Sequence, residues 1–120
     1  MNNNCIPKLR DLQKSNVNYK FVCKEGDCET LNMCYIGKTQ MTLSKRITMH
    51  MQYRDSAIVK HFVEKHGRTP ERKDLVDNVR IEKSYRDRIR LDIGEALRIK
   101  QEKPYLNRQD TGFTRTLMLF

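Results

Sequence analysis

The sequence predicts a small α/β domain, a three-stranded and mostly antiparallel sheet flanked by helices, and three observations carry that expectation. Residues 18–23, with Tyr19, Phe21 and Val22, have strand composition, and Val79 and Ile81 alternate with Asn78, Arg80 and Glu82. A second apolar run at 34–36 follows the first across Gly26-Asp27, a turn signal, so the two read as a hairpin. The stretches between and after these runs carry helix starts and stops at helical spacing.

In order along the chain, residues 1–16 are a polar, mixed lead-in with a short helical turn at 9–12. The hairpin follows, its loop at 24–32 carrying cysteine. Thr42 is an N-cap for a helix over 43–53, and Ser56 one for a helix over 57–65 that ends near Gly67. Residues 68–77, with Pro70 and many charges, read as a loop. The third strand then leads to Ser84, which opens a long helix to about residue 100, and Pro104 stops it. Residues 105–120 read as irregular with an apolar end, and 113–120 as an extension or domain boundary, since Leu117-Met118-Leu119-Phe120 is foreign to so polar a chain.

A length of 120 residues allows one domain with a modest core, which an additional staple would help. Lys and Arg total 24 against 15 Asp and Glu, a net charge of +9 spread through the chain. That distribution suits a folded surface for a polyanion such as DNA, although charge alone fits a merely soluble basic domain equally well. No apolar run approaches membrane-spanning length, and the Asn-rich start lacks the n- and h-regions of a signal peptide. The expectation is a nuclear or otherwise intracellular protein with no membrane partner, whose four cysteines are thiols or metal ligands rather than disulfides.

The chemistry-bearing residues are Tyr35-Ile36-Gly37-Lys38-Thr39, then Arg46 and His50, with Tyr19 upstream and Glu95 and Asn107 far downstream. Arg46 and His50 are four apart and share one face of their helix, on the stripe of Leu43 and Ile47. Packing alone would favour apolar residues there; an arginine stem and a histidine at the border of a core are the plainer alternative. Glu95 stands four residues from both Leu91 and Ile99, a carboxylate in an apolar row. Burial of an unpaired carboxylate costs several kcal/mol, so Glu95 should be ion-paired, protonated or metal-bound.

Cys23-x4-Cys28 and His61-x4-His66 match the halves of a Cys2His2 zinc site, with two core cysteines and two surface histidines as the alternative. Residues five apart on a regular helix point well away from each other, so the helix is expected to unwind between His61 and His66. Cys34 is the substitute ligand if Cys28 is not one, and Cys5 has no evident partner.

Together these residues resemble the GIY-YIG nuclease superfamily over about residues 17–112. Its second signature stands verbatim as Tyr35-Ile36-Gly37, while the first is reduced to Tyr19 behind Val17-Asn18; Arg46, His50, Glu95 in Gly94-Glu95-Ala96-Leu97, and Asn107 follow in family order. Within the superfamily the chain is most similar to the endonuclease domain of Penelope-like retroelements, through Tyr19-Lys20-Phe21-Val22-Cys23, the Ser56-Ala57-Ile58-Val59-Lys60-His61 stretch and His66, a zinc-finger-like insertion. The resemblance implies a GIY-YIG-like fold and a metal-dependent DNA endonuclease that nicks one strand, serving target-site cleavage for such an element. It implies one Mg2+ or Mn2+ on Glu95, Arg46 on the scissile phosphate, Lys38 as a second cation or proton relay, and Tyr35, Tyr19 or His50 as the group acting on water. Asn107 would hold a tyrosine or a backbone turn, or serve as a loop cap. Structural Zn2+ would sit on Cys23, Cys28, His61 and His66, and a reverse transcriptase domain in the same polypeptide and element RNA are the implied partners. A structure-specific repair or recombination nuclease of the same superfamily, and a zinc-stapled nucleic-acid-binding module that has lost catalysis, are the competing expectations.

Overall fold

A computed structural model describes residues 5–109, with the side chains of 5–8, Cys5 among them, and of 108–109 outside that description; residues 1–4 and the 113–120 extension lie outside the described residues. The elements run α1 (Cys5–Leu12), β1 (Val17–Val22), β2 (Cys34–Thr39), α2 (Leu43–Gln52), α3 (Ala57–His66), α4 (Arg72–Val76), β3 (Val79–Ser84), α5 (Arg88–Glu102) and a 3-10 turn, Tyr105–Gln109.

The sheet has the order β2-β1-β3, and both pairings are antiparallel. Tyr19 stands opposite Gly37 and Phe21 opposite Tyr35 on one side, and Tyr19 opposite Ile81 on the other, with an irregularity in register between Asn18 and Tyr19. Because side chains alternate along a strand, Tyr19, Phe21, Tyr35 and Val79 share one face and pack with Leu43, Ile47, Ala57, Ile58, Phe62 and Leu75 of α2, α3 and α4. The opposite face carries Asn18, Lys20, Ile36 and Lys38 and lies under α5, whose Leu91 is fully buried and which is also joined to the sheet by the ion pairs Lys20–Glu102 and Lys38–Asp92. The domain is thus a three-layer arrangement with the main apolar layer on one side of the sheet and a mixed apolar and charged one on the other.

Several boundaries differ from expectation for local reasons. The segment 68–77 is not all loop: Glu71 N–H donates to Asp74 Oδ2 at 2.7 Å, which opens α4, and Leu75 is buried from it. The long helix begins at Arg88 rather than at Ser84, since Ser84 still pairs with Val17 in the sheet and Asp87 is the cap, accepting from Arg90 N–H at 2.9 Å. Helix α3 does not unwind between its histidines and stays helical through His66, closing at Gly67, whose φ of 68° is the left-handed conformation that a residue without Cβ adopts readily. Of the stretch after Pro104, residues 105–109 form the 3-10 turn rather than irregular chain, and the rest lies outside the described residues. The lead-in carries a full α1 instead of one turn.

Candidate functional site

Two adjoining groups of polar residues gather around β2. On its core face, the Tyr19 hydroxyl lies 2.7 Å from His50 Nε2 and accepts from Arg46 Nε at 3.0 Å. His50 Nδ1 is 2.8 Å from Ser56 Oγ, and the Tyr35 ring meets the His50 ring edge-on at 5.3 Å. The spacing of α2 produces this: Arg46 and His50, one turn apart, both reach down to the same tyrosine. Gly37 is a condition of it, because the Tyr19 ring lies across the strand pair where a Cβ at position 37 would stand. Burial pushes His50 well below the usual histidine value, and the charge of Arg46 pushes the same way, so the ring is neutral.

On the α5 side, Lys38 Nζ donates to Asp92 Oδ1 at 2.7 Å and stands 3.7 Å from Glu95 Oε1. Glu95 is only 8% exposed. Burial pushes its carboxyl up to about 7, against the pull of Lys38 and Arg46 and with Asp92 adding to the rise. The charges of Arg46 and Glu95 therefore act on each other across β2, and the two groups form one site. Its outer members are Lys38, Asp92, Glu95 and Arg46; Tyr19, Tyr35 and His50 stand behind them, 2% exposed or less. Both ring nitrogens of His50 are engaged, by Tyr19 and by Ser56.

Asn107 closes the arrangement from the third direction. Its Oδ1 accepts from Ile36 N–H and its Nδ2 donates to Ile36 C=O, both at 2.8 Å, so the side-chain amide takes the place of a neighbouring strand on β2. The backbone between Tyr35 and Gly37 is fixed by that pair of bonds, which settles Asn107 as a holder of backbone rather than of a tyrosine ring.

Cys23, Cys28, His61 and His66 converge as a second site, their ligand atoms all within 4.8 Å of one another. Tetrahedral geometry with Zn–S of about 2.3 Å and Zn–N of about 2.0 Å requires S···N edges of roughly 3.5 Å. The observed edges are 3.4 Å for Cys23–His66, 3.5 Å for Cys28–His61 and 3.4 Å for Cys28–His66, so the group could hold a metal such as zinc. Burial pushes the Cys23 thiol up to about 11, and burial together with His66 and Lys65 brings His61 down to about 4. Neutral imidazole is ready to ligate, whereas the thiol gives up its proton only to a cation. Glu25 Oε2 lies 3.5 Å from His66 Nδ1, and Arg68 joins Glu25 to Asp74 of α4. Cys34 stands on the other face of the sheet and donates to Asn32 Oδ1 at 3.3 Å; it is no member of this group.

Of the residues singled out in the sequence, Tyr19, Tyr35, Lys38, Arg46, His50, Glu95 and Asn107 gather around β2 and Cys23, Cys28, His61 and His66 form the second group, while Cys34 belongs to neither. Sequence reasoning passed over Asp92, whose position on α5 looks like any solvated charge, and Ser56, which reads as an ordinary helix cap. It also passed over the notch in which Gly94 packs against the Tyr85 hydroxyl and Asn18. Among the described residues, no helix is long and apolar enough to cross a membrane. Comparison with protein-family models, with curated proteins and with solved structures returned no match.

Proposed function

We propose that the chain is a metal-dependent DNA endonuclease of the GIY-YIG type that nicks one strand, most like the nuclease of Penelope-like retroelements. The observation that carries this reading is the convergence on β2 of a buried carboxyl, Glu95, with Lys38, Arg46 and a tyrosine-histidine pair brought from distant parts of the chain. Phosphodiester hydrolysis needs cations where charge develops on phosphorus, an acceptor for a water proton and a carboxylate for a metal, and these residues supply that set.

The donor set fits a divalent cation. Glu95 is the one buried carboxyl among the described residues, with a second carboxylate, Asp92, on the preceding turn, and the cationic Lys38 is already drawn to both. When bound there, Mg2+ or Mn2+ would supply Lewis-acid stabilisation of the phosphate and leaving oxygen, its other positions completed by water and DNA. Arg46 binds the scissile phosphate with its planar fork, and Tyr19 holds that fork through Nε. Lys38 neutralises a further phosphate oxygen or relays a proton to the leaving group. Tyr35 and Tyr19 orient the attacking water through their hydroxyl oxygens.

The Cys2His2 group supports the finer assignment to the retroelement branch, with Zn2+ pinning the hairpin loop to α3. A repair or recombination nuclease of the same superfamily shares the first site but has no stated need of the second. Target-site cleavage beside a reverse transcriptase domain and element RNA is the biological setting this reading implies. Relaxation of supercoiled plasmid in Mg2+ tests it: wild-type protein should yield open circles, and Glu95→Gln should not while binding DNA as before. Binding without nicking in either metal would instead support a zinc-stapled module that has lost catalysis.

A further inference from the structure

Ser56 stands at the N-terminus of α3, where a serine normally spends its hydroxyl on the first-turn N–H groups of its own helix. It makes no such bond, although Thr42 accepts from Lys45 N–H for α2 and Asp87 from Arg90 N–H for α5. Forgoing a cap costs on the order of 1 kcal/mol. The hydroxyl is fully buried and turned instead to His50 Nδ1 at 2.8 Å.

A neutral imidazole carries one N–H, so the chain Ser56–His50–Tyr19–Arg46 has two arrangements. With the proton on Nδ1, His50 donates to Ser56 Oγ and Nε2 receives the Tyr19 O–H. With it on Nε2, His50 donates to the Tyr19 oxygen, onto which Arg46 Nε already donates. The second arrangement crowds two donors onto one phenol oxygen beside a full positive charge. The first lets that charge polarise the phenol into a strong donor, but it leaves Nδ1–H needing a buried acceptor, and Ser56 is that acceptor.

We propose that Ser56 is a positioning residue of the site, fixing His50 in the Nδ1–H form so that the one proton Tyr19 can donate is drawn inward to Nε2. Every other partner of the Tyr19 oxygen, Arg46 or a substrate water, must then donate to it. The orientation of a single hydroxyl thus decides whether the tyrosine oxygen accepts a hydrogen bond from the reaction side or donates one to it. The inference rests on the nuclease reading, since what it explains is how the tyrosine-arginine pair is poised.

The test combines ring nitrogen NMR of His50 in 15N-labelled protein with plasmid nicking, for wild type, Ser56→Ala and Ser56→Thr. Wild type should carry the proton on Nδ1. Ser56→Ala, which strands a buried N–H, should move it to Nε2 and lower nicking roughly ten- to a hundredfold at unchanged DNA affinity, as loss of an orienting partner does elsewhere. Ser56→Thr keeps a hydroxyl in place and should retain both the tautomer and the activity. A wild-type ring protonated on Nε2, or a tautomer indifferent to Ser56→Ala, overturns the proposal. Should Ser56→Ala fail to fold, the wild-type and threonine spectra still decide it. The expected tautomer shift with no nicking by any of the three proteins supports the Ser56–His50 arrangement and removes the nuclease reading.

Discussion

Glu95 titrates near neutrality because burial disfavours its charged form, and the direction of that shift fixes its link to stability. Its folded value of about 7 lies above its ordinary 4.5, so between those values the native state holds the extra proton. Its contribution is therefore fully present below 4.5 and is lost as pH rises through 7, in total about 3 kcal/mol. Glu95→Gln cannot ionise and should melt higher than wild type at pH 8 in metal-free buffer, with the difference narrowing toward pH 5; equal melting temperatures at pH 8 would mean that the carboxyl is better solvated than its burial indicates. The same substitution should abolish nicking, and retention of a tenth of wild-type cleavage would move the metal ligand elsewhere. Glu95, Arg46 and His50 were legible in the sequence because each places a charge or an imidazole on a stripe that packing would make apolar. Asp92 and Ser56 were not, since nothing in a sequence tells a carboxylate at a helix border from a solvated one, or a serine that caps from one that turns away.

At the scale of elements, the glycines of two strand and helix positions hold the site open. Gly37→Ala would place a methyl in the Tyr19 ring, and Gly94→Ala one in the Tyr85 hydroxyl. Overpacking of this kind costs about 1–3 kcal/mol, while alanine returns about 1 kcal/mol of helix propensity at position 94 only. Urea titrations should show Gly37→Ala the more damaging of the two, and its nicking should fall further than its stability because Tyr19 is displaced from His50 and Arg46. The hairpin, α2 and α3 were legible from alternation, turn residues and caps. The start of α5 was not, because Ser84 offers an equally good cap and only its pairing with Val17 keeps it in the sheet. The Cys2His2 group ties the β1–β2 loop to α3, so Cys23→Ser or His61→Ala should each lower the melting temperature sharply without DNA or Mg2+ present. One zinc per chain by elemental analysis is the accompanying expectation; absence of zinc with unchanged melting would leave these four as ordinary buried side chains.

For the molecule as a whole, a net charge of +9 predicts binding dominated by counterion release. Affinity for duplex DNA should fall with salt on a log-log slope of about 0.9 per phosphate contacted. Arg46→Ala removes one cation of many and should weaken binding little, yet cleavage greatly, since the proposed nuclease would develop transition-state charge beside it. Equal losses in both, measured on one oligonucleotide at saturating metal, would make Arg46 an ordinary phosphate contact. The sheet also has two outer strands to protect from joining other molecules. Charged Arg80, Glu82 and Lys83 guard β3, whereas β2 relies on the Asn107 amide, which occupies both bonding groups of Ile36. An Asn107→Leu protein would therefore present an unpaired, apolar-flanked strand edge to its neighbours in concentrated solution. Light scattering on standing should reveal it as the variant that self-associates first, which would give the residue that steadies the Ile36 backbone a second task, closing the sheet's edge to other molecules.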